Sequence, residues 1–146
     1  MPLDLQFFDQ FIPNMGNASI NLVEDDIRIM LTNGYTFQAI HDEYVDVESS
    51  EIEEGNGYIA GGKSITGVTF GWDVETSKNI CTMDNVYFTA VEEDMAIATG
   101  AIIYSFTSSG KKLIAYVNFA EELQAIIGTD LVIAFNGDGV FTIEEA

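Results

Sequence analysis

Alternation of apolar and polar residues is the clearest pattern in the first third of the chain. Ile27, Ile29 and Leu31 alternate with polar or more weakly apolar neighbours, and Asn33-Gly34 follows at once. Strict alternation is typical of a strand with one buried face, and Asn-Gly is a strong turn signal. The pattern therefore predicts a strand that ends at this turn.

Strand patterns continue beyond Gly55, where segments rich in Val, Ile, Thr, Tyr and Phe are separated by clusters of Gly, Asn, Asp and Ser. SSGKK (108–112) and NGDG (136–139) are predicted hairpin loops. AEELQAII (120–127) fits either a helical turn or an irregular excursion. The predicted strands are Ser64–Trp72, Asn79–Asp84, Val86–Val91, Ile97–Thr107, Lys112–Phe119, Leu131–Asn136 and Val140–Glu144.

The N-terminal segment has a different period. In LDLQFFDQFIPNM (3–15), Leu5, Phe8, Phe11 and Ile12 recur at helical spacing, which predicts a short helix ending near Pro13. With the strands that follow, we expect a mostly β fold: a single antiparallel β-sandwich or barrel-like domain over residues 1–146, with a short N-terminal helix.

Composition agrees with one folded domain. The chain has 146 residues, 47% of them hydrophobic, which suffices for a core. No apolar run reaches the roughly 18 to 20 residues that span a bilayer. The N-terminus, MPLDLQFFDQF, has no basic region before its apolar residues. We therefore expect a soluble protein that is made without export and does not enter a membrane.

The net charge of the chain limits which classes of molecule it can bind. There are 24 acidic and 5 basic residues, for a net charge of −19. Nucleic-acid affinity depends on Lys and Arg displacing counterions from phosphates, and anionic membranes attract the same residues. We therefore expect no binding to nucleic acid or membrane. Proteins, neutral ligands, sugars and cations remain as partners, and solubility is the simplest role of the charge.

The segment GYIAGGKS (57–64) matches the phosphate-binding loop G-x-x-x-x-G-K-[ST] at Gly57, Gly62, Lys63 and Ser64. That loop needs a buried strand before it and a helix after it. Here the preceding residues are acidic, and ITGVTFGWDV follows with two glycines that each cost a helix about 1 kcal/mol. The sequence thus predicts a bend at Gly61-Gly62, a solvent-facing Lys63 and a strand from Ser64, and not a nucleotide site.

Catalytic and metal-binding motifs are sparse in the sequence. His41 is the single histidine, and it lies among carboxylates in AIHDEY; Cys81 is the single cysteine, and it lies among apolar residues. A zinc site needs more such ligands. We predict a hydrogen-bonded loop or surface histidine, a buried inert thiol, no catalytic residues and a protein that is not an enzyme.

Two binding hypotheses stay open on residue chemistry. The acidic loops at 24–26 and 42–48 offer oxygen ligands for a weak Ca²⁺ site, although EF-hand spacing is missing, so no metal or other cofactor is predicted. Aromatic residues in strands can stack on sugar rings, but they more often pack in the core. The aromatic residues in question are Tyr58, Trp72, Tyr87 and Tyr104.

Several phrases together resemble a family of small tailed-bacteriophage virion proteins, in order and spacing over most of the chain. The most distinctive is GY-x-AGG-x-x-x-TG, here within GNGYIAGGKSITGVT, followed by N-x-x-G-[IV]-F-T-I, here NGDGVFTI. The others are FIPNMGNASINL, DDIRIML, YTFQAIHDEYVDV and LIAYVNF. The resemblance indicates a virion structural protein more firmly than it indicates a position on the particle.

The resemblance implies a capsid decoration or cement protein on the exterior of the head, made in the cytoplasm of the bacterial host. Its implied partners are the major capsid protein and copies of itself, with a trimer as the expected oligomer. The alternatives are a neck, tail or fibre component that recognises the host, and a carbohydrate-binding β-sandwich module. The copy number per particle distinguishes a decoration protein from a neck, tail or fibre component.

Assembly through apolar contacts requires exposed hydrophobic surface beyond the core of the monomer. FFDQFI near the N-terminus and LQAII (123–127) are the segments we expect to supply it, and ordinary core packing is the alternative for both. The candidate interface residues are Phe7, Phe8, Phe11, Ile12, Leu123, Ile126 and Ile127.

Overall fold

The computed structural model describes residues 4–135 and 139–143 and consists mainly of antiparallel strands. The predicted mostly β, antiparallel fold with a short N-terminal helix is confirmed, while the choice between sandwich and barrel stays a prediction. The elements in chain order are β1 (Asp4–Phe7), α1 (Phe11–Gly16), β2 (Ile27–Thr32), β3 (Lys63–Ser64), β4 (Thr69–Asp73), β5 (Lys78–Thr82), β6 (Val86–Phe88), β7 (Ala98–Ser105), β8 (Leu113–Leu123), β9 (Leu131–Ile133) and β10 (Phe141–Ile143), with two 3₁₀ helices at Tyr44–Asp46 and Glu48–Ser50.

Three sheets organise these strands. The largest has the order β1-β8-β7-β2-β3, and the smaller ones are β10-β5-β4 and β6-β9. The SSGKK segment closes the β7–β8 hairpin as predicted. β9 pairs with β6 and β10 pairs with β5, so these two strands are not paired with each other as a hairpin. Residues 136–138 of the predicted NGDG loop lie outside the described residues.

Most of β7 and the first half of β8 (113–117) are buried on both faces. Ala101, Ile103 and Val117 belong to the main core, which also contains residues of both small sheets. Ile102, Tyr104 and Tyr116 point the other way, into a second cluster with Phe8 and Met30. Strands buried on both sides have nearly continuous apolar sequences, and AIIY and LIAYV are such runs.

The second face is covered by the 35–50 segment, which contributes Tyr35, Phe37, Tyr44 and Val47 to the second cluster. Ion pairs hold this segment to the hairpin, because Nζ of Lys112 lies 3.2 Å from Asp42 and 3.1 Å from Glu43. The backbone N–H of Leu113 also donates to the carbonyl of Asp42 at 2.8 Å. Polar groups of this segment, which has little regular secondary structure, thus find hydrogen-bond and ion-pair partners in the hairpin.

The N-terminal prediction needs correction. Residues 4–7 are extended and pair with the edge of β8, and the helix begins only at Phe11. Pro13 lies in its first turn, where backbone N–H groups have no partner inside the helix; the first to bond is that of Asn14, to the carbonyl of Gln10 at 2.8 Å. Within the described residues, helices that are both long and apolar enough to cross a membrane are not found.

Most other strand predictions are confirmed with shifted ends, except that the ends predicted at Asn136 and Glu144 lie outside the described residues. The predicted strand Ser64–Trp72 is divided into β3 and β4 by residues 65–68. AEELQAII is not helical: β8 continues to Leu123, and a turn closed by backbone hydrogen bonds between Ile126 and Thr129 follows.

Neighbouring residues of α1 differ sharply in burial, which allows a matched test. Phe11 is 1% exposed in the main core, whereas Ile12 is 52% exposed. We expect Phe11→Ala to lower the free energy of unfolding by about 3 to 5 kcal/mol, because it leaves a cavity, and Ile12→Ala to change it by less than about 1 kcal/mol. Urea denaturation followed by circular dichroism measures both, and equal losses would contradict this placement of the helix.

Candidate functional site

The glycine motif lies where backbones come very close together. Gly62 has a φ of +82°, and a Cβ atom there would lie 2.1 Å from the carbonyl oxygen of Ile29 in β2. A Cβ atom on Gly57 would lie 2.3 Å from the carbonyl oxygen of Thr89. Both positions therefore require glycine for packing reasons. The predicted extended backbone after the glycine pair is confirmed by β3.

The loop formed by the motif GYIAGGKS (57–64), called the glycine loop below, binds a carboxylate of its own chain. Oε2 of Glu51 accepts hydrogen bonds from the Tyr58 hydroxyl at 2.6 Å and from the Gly61 N–H at 2.7 Å, and Oε1 accepts a short one from the Tyr44 hydroxyl. The N–H of Gly62 donates to the carbonyl of Ile59 at 2.9 Å. Backbone groups that would hold a phosphate in a nucleotide-binding loop are here bonded internally, one of them to Glu51.

Two further tyrosine contacts join this network to the large sheet. The hydroxyl of Tyr58 accepts a hydrogen bond from the N–H of Leu31 at 3.1 Å, and the hydroxyl of Tyr104 donates a short one to the carbonyl of Gly61. Burial and then the hydrogen bond to Glu51 raise the pKa of Tyr44 and of Tyr58, and burial followed by the charge of Glu51 raises that of Tyr104. The three hydroxyls therefore remain protonated donors well above neutral pH.

Lys63 points away from this network. Its side chain is exposed, as predicted, and Nζ donates to the carbonyl of Tyr87 at 2.6 Å. Beside it, between the glycine loop and β6, lies a cavity of about 170 Å³ whose lining includes Tyr58, Lys63 and Tyr87. The cavity is small compared with the roughly 300 to 1,000 Å³ of typical ligand pockets.

The seven candidate interface residues fall into two groups. Phe8 and Phe11 are core residues at 2% and 1% exposure, and Leu123 is partly buried against the main core; ordinary packing describes these three. Four remain on the surface, and their use in an interface stays a prediction: Phe7 at 39%, Ile12 at 52%, Ile126 at 42% and Ile127 at 53% exposure. Phe7 also stacks on Phe11 at 5.8 Å between ring centroids.

Ile12 borders an apolar depression that the sequence did not reveal. We call it the helix groove; its volume is about 490 Å³, and Asn21 is the most polar residue of a lining that contains no charged side chain. Phe70 of β4 forms part of it, which residue spacing cannot show because β4 is far from α1 in sequence. The lining residues are Ile12, Met15, Gly16, Ala18, Ile20, Asn21, Leu22, Val23 and Phe70.

The second exposed apolar surface is the Ile126–Ile127 turn. The N–H of Ile127 donates to Oδ1 of Asp94 at 3.0 Å, and Nε2 of Gln124 donates to the carbonyl of Met95 at 2.8 Å. These bonds hold the turn against the segment before β7, so that both isoleucine side chains are presented on a fixed backbone. The turn shares no residue with the helix groove.

Two of the four candidate sugar-stacking aromatics are unsuitable. Tyr58 is 2% exposed and Tyr104 is fully buried, so neither ring face can reach a sugar, and the hypothesis is wrong for them. Trp72 at 60% and Tyr87 at 48% exposure keep accessible rings. Residue type alone could not separate these pairs, because exposure depends on packing against residues that are distant in sequence.

The acidic loops use many of their carboxylates internally. Asp25 accepts hydrogen bonds from the N–H of Asn21 and the hydroxyl of Ser105, and Asp26 pairs with Arg28 at 2.9 Å. Asp46 accepts from the N–H groups of Asp42 and Glu43, which lowers its pKa. Over the described ranges, groups of three or more His, Cys, Asp or Glu side chains arranged for a metal ion are not found.

His41 has a partner in the 35–50 segment. Its Nδ1 and the hydroxyl of Tyr35 are 2.7 Å apart and form a hydrogen bond whose donor depends on the imidazole tautomer. Tyr35 in turn packs edge-on against Tyr116 of β8 at 5.1 Å between ring centroids. The predicted hydrogen-bonded loop histidine is confirmed, and its contacts join the 35–50 segment to the hairpin.

Loss of the Glu51 charge should weaken the fold. We expect Glu51→Gln to lower the free energy of unfolding by about 1 to 3 kcal/mol, because charge-assisted hydrogen bonds become neutral and the amide adds a donor beside three existing donors. Urea denaturation gives the value. Glu53→Gln changes an exposed carboxylate nearby and should alter stability by less than about 0.5 kcal/mol; equal effects of the two variants would refute the role of Glu51.

Cys81 should be inert while the protein is folded. The thiol is fully buried in β5, and burial raises its pKa to about 12. Since the thiolate is the reactive form, we expect no reaction with Ellman's reagent at pH 8 in the native state and one equivalent in urea. A rapid reaction of the native protein would show that β5 opens or that the thiol is exposed.

Comparisons with protein-family models, with curated proteins and with solved structures gave no match.

Proposed function

We propose that the chain is a bacteriophage virion structural protein: a capsid decoration or cement protein that binds the major capsid protein on the head exterior and stabilises the head. The observation that carries the proposal is the presence of two apolar surfaces, the helix groove and the Ile126–Ile127 turn, on a domain of net charge −19. The sequence motifs supply the virion context.

Two separate surfaces suit a protein that joins neighbours. A bridging protein must contact at least two molecules, and each contact needs an apolar centre that becomes buried. The helix groove is concave and the Ile126–Ile127 turn is exposed at the surface, so they offer contacts of different shape. When many copies bind a shell, each bound copy stabilises the assembled state by mass action.

The distribution of charge supports binding to protein outside the shell. Of the five cationic side chains, Arg28 and Lys112 pair with carboxylates of the same chain, and Lys63 donates to a backbone carbonyl. The surface is therefore strongly anionic and repels a packaged genome. The proposed place of synthesis is the cytoplasm of the bacterial host, before the protein binds to the head.

The proposal is tested with shells of the cognate major capsid protein that lack this chain. We expect the wild-type protein to bind in hundreds of copies per shell, and Ile126→Asp with Ile127→Asp to reduce binding about tenfold or more, because charge replaces the apolar centre of the contact. Sedimentation of shells with labelled protein gives the bound copy number.

Ile40→Asp is the matched control, since Ile40 is 78% exposed and belongs to neither surface. It should bind as the wild type does, and circular dichroism should show all three proteins folded. No binding to shells would refute the decoration role. Recovery from purified virions in tens of copies or fewer would instead support a neck, tail or fibre component.

A further inference from the structure

Strand β4 is an open edge of the three-stranded sheet. Its one pairing among the described residues is with β5, so its outer N–H and C=O groups face away from the sheet. The sequence VTFGWDV (68–74) alternates strictly, which places Val68, Phe70, Trp72 and Val74 on one face. Such an edge readily pairs with another strand.

The apolar face of β4 is only partly covered. Phe70 packs against the main core, but Trp72 is 60% and Val74 78% exposed. Natural proteins protect open edges with Lys, Pro or bulges. β4 has neither residue, and its pairing with β5 runs without a register shift.

Nothing among the described residues requires glycine at position 71, the centre of β4. Its φ lies outside the left-handed region, and a Cβ atom there would meet nothing within 4 Å. Glycine within a strand costs roughly 0.5 to 1 kcal/mol relative to Ala, and it often marks a place where another backbone comes close. A glycine at this position therefore fits a second backbone that approaches the open side of the strand.

We propose that β4 pairs with β4 of a second copy of this chain, antiparallel and centred on Gly71. This register sets Phe70 opposite Trp72 and Val68 opposite Val74 of the second copy, so each apolar residue faces another. Asp73 faces Thr69, and no carboxylate of the strand faces a carboxylate. Cross-strand pairs of aromatic or β-branched residues stabilise sheets, whereas like charges placed opposite destabilise them.

The same pairing places the second copy beside the helix groove. Phe70 lines the groove beside Ile12 and Val23. Since Trp72 of the second copy stands opposite Phe70, it lies next to the groove, and the two-fold axis repeats the contact on the other side. One occupant thus pairs with the strand edge and borders the groove.

A second copy also explains the charge of the strand better than a basic partner does. Asp73 is the one charged residue in β4, so the edge offers little to attract a cationic strand. The net charge of −19 makes two copies repel at long range. Salt screens that repulsion; self-pairing must therefore strengthen as salt is added, whereas binding to a basic partner would weaken.

This inference goes beyond binding to the capsid, because the purified chain alone should pair. A two-fold contact yields a dimer, which differs from the trimer implied by the family resemblance. Failure of shell binding would leave the dimer intact, and failure of dimerisation would leave shell binding through the Ile126–Ile127 turn untouched.

Disulfide trapping tests the register. In this pairing two copies of residue 71 are directly opposite, within the Cα separation of about 4.4 to 6.8 Å that a disulfide needs. Two copies of residue 69 are offset by four residues, roughly 13 Å along the strand. We expect Gly71→Cys to form a covalent dimer under mild oxidation at least tenfold faster than Thr69→Cys, which leaves an exposed thiol on the same face. Cys81 is buried and common to both.

Analytical ultracentrifugation tests the energetics on the wild-type chain. The mass should rise from 16.0 kDa towards twice that value as protein and NaCl concentrations increase. Trp72→Ala should weaken dimerisation at least tenfold, whereas Ile40→Ala, at an exposed site outside β4, should not. Equal trapping at positions 69 and 71, a monomer at all concentrations, or dimerisation that weakens with salt would each overturn the proposal.

Discussion

Burial of most of the β7–β8 hairpin on both faces is the constraint on which the rest of the structure depends. Residues of each strand point alternately into the main core and into the second cluster. A sheet buried on one side needs one covering layer, whereas this hairpin needs two. The small sheets form the first covering layer, and the 35–50 segment forms the second. Because little of the 35–50 segment has regular secondary structure, its backbone N–H and C=O groups need other hydrogen-bond partners.

Glu51 and Lys112 hold the 35–50 segment and the residues just after it in place. Lys112, just before β8, forms ion pairs with Asp42 and Glu43. Glu51 accepts hydrogen bonds from two tyrosine hydroxyls and one backbone N–H. The glycine loop is thus part of the same support, since its N–H group serves an anion from a neighbouring segment. Within the loop, the tight contact with the backbone of Ile29 requires glycine at position 62, and Nζ of Lys63 donates to the carbonyl of Tyr87.

Charge and apolar exposure together describe how such a domain associates. With 24 acidic and 5 basic residues in each chain, copies repel one another at long range. The helix groove, the Ile126–Ile127 turn and the edge of β4 expose apolar side chains, and the contacts proposed above use these three places. Long-range repulsion with short-range apolar attraction favours ordered contacts at defined sites over non-specific aggregation.

The sequence by itself determined the local backbone: most strands, the hairpin at SSGKK, and the extended chain after Gly62. Period-two alternation and turn residues act over a few neighbouring positions, so they can be read without the fold. The tertiary structure decided which strands pair, why residues 4–7 are extended although Phe8, Phe11 and Ile12 have helical spacing, and which aromatics are buried. Those outcomes depend on contacts between residues far apart in the chain, such as Leu5 with Val117 and Tyr104 with Gly61. One sequence specifies such contacts only through the complete packing of the core.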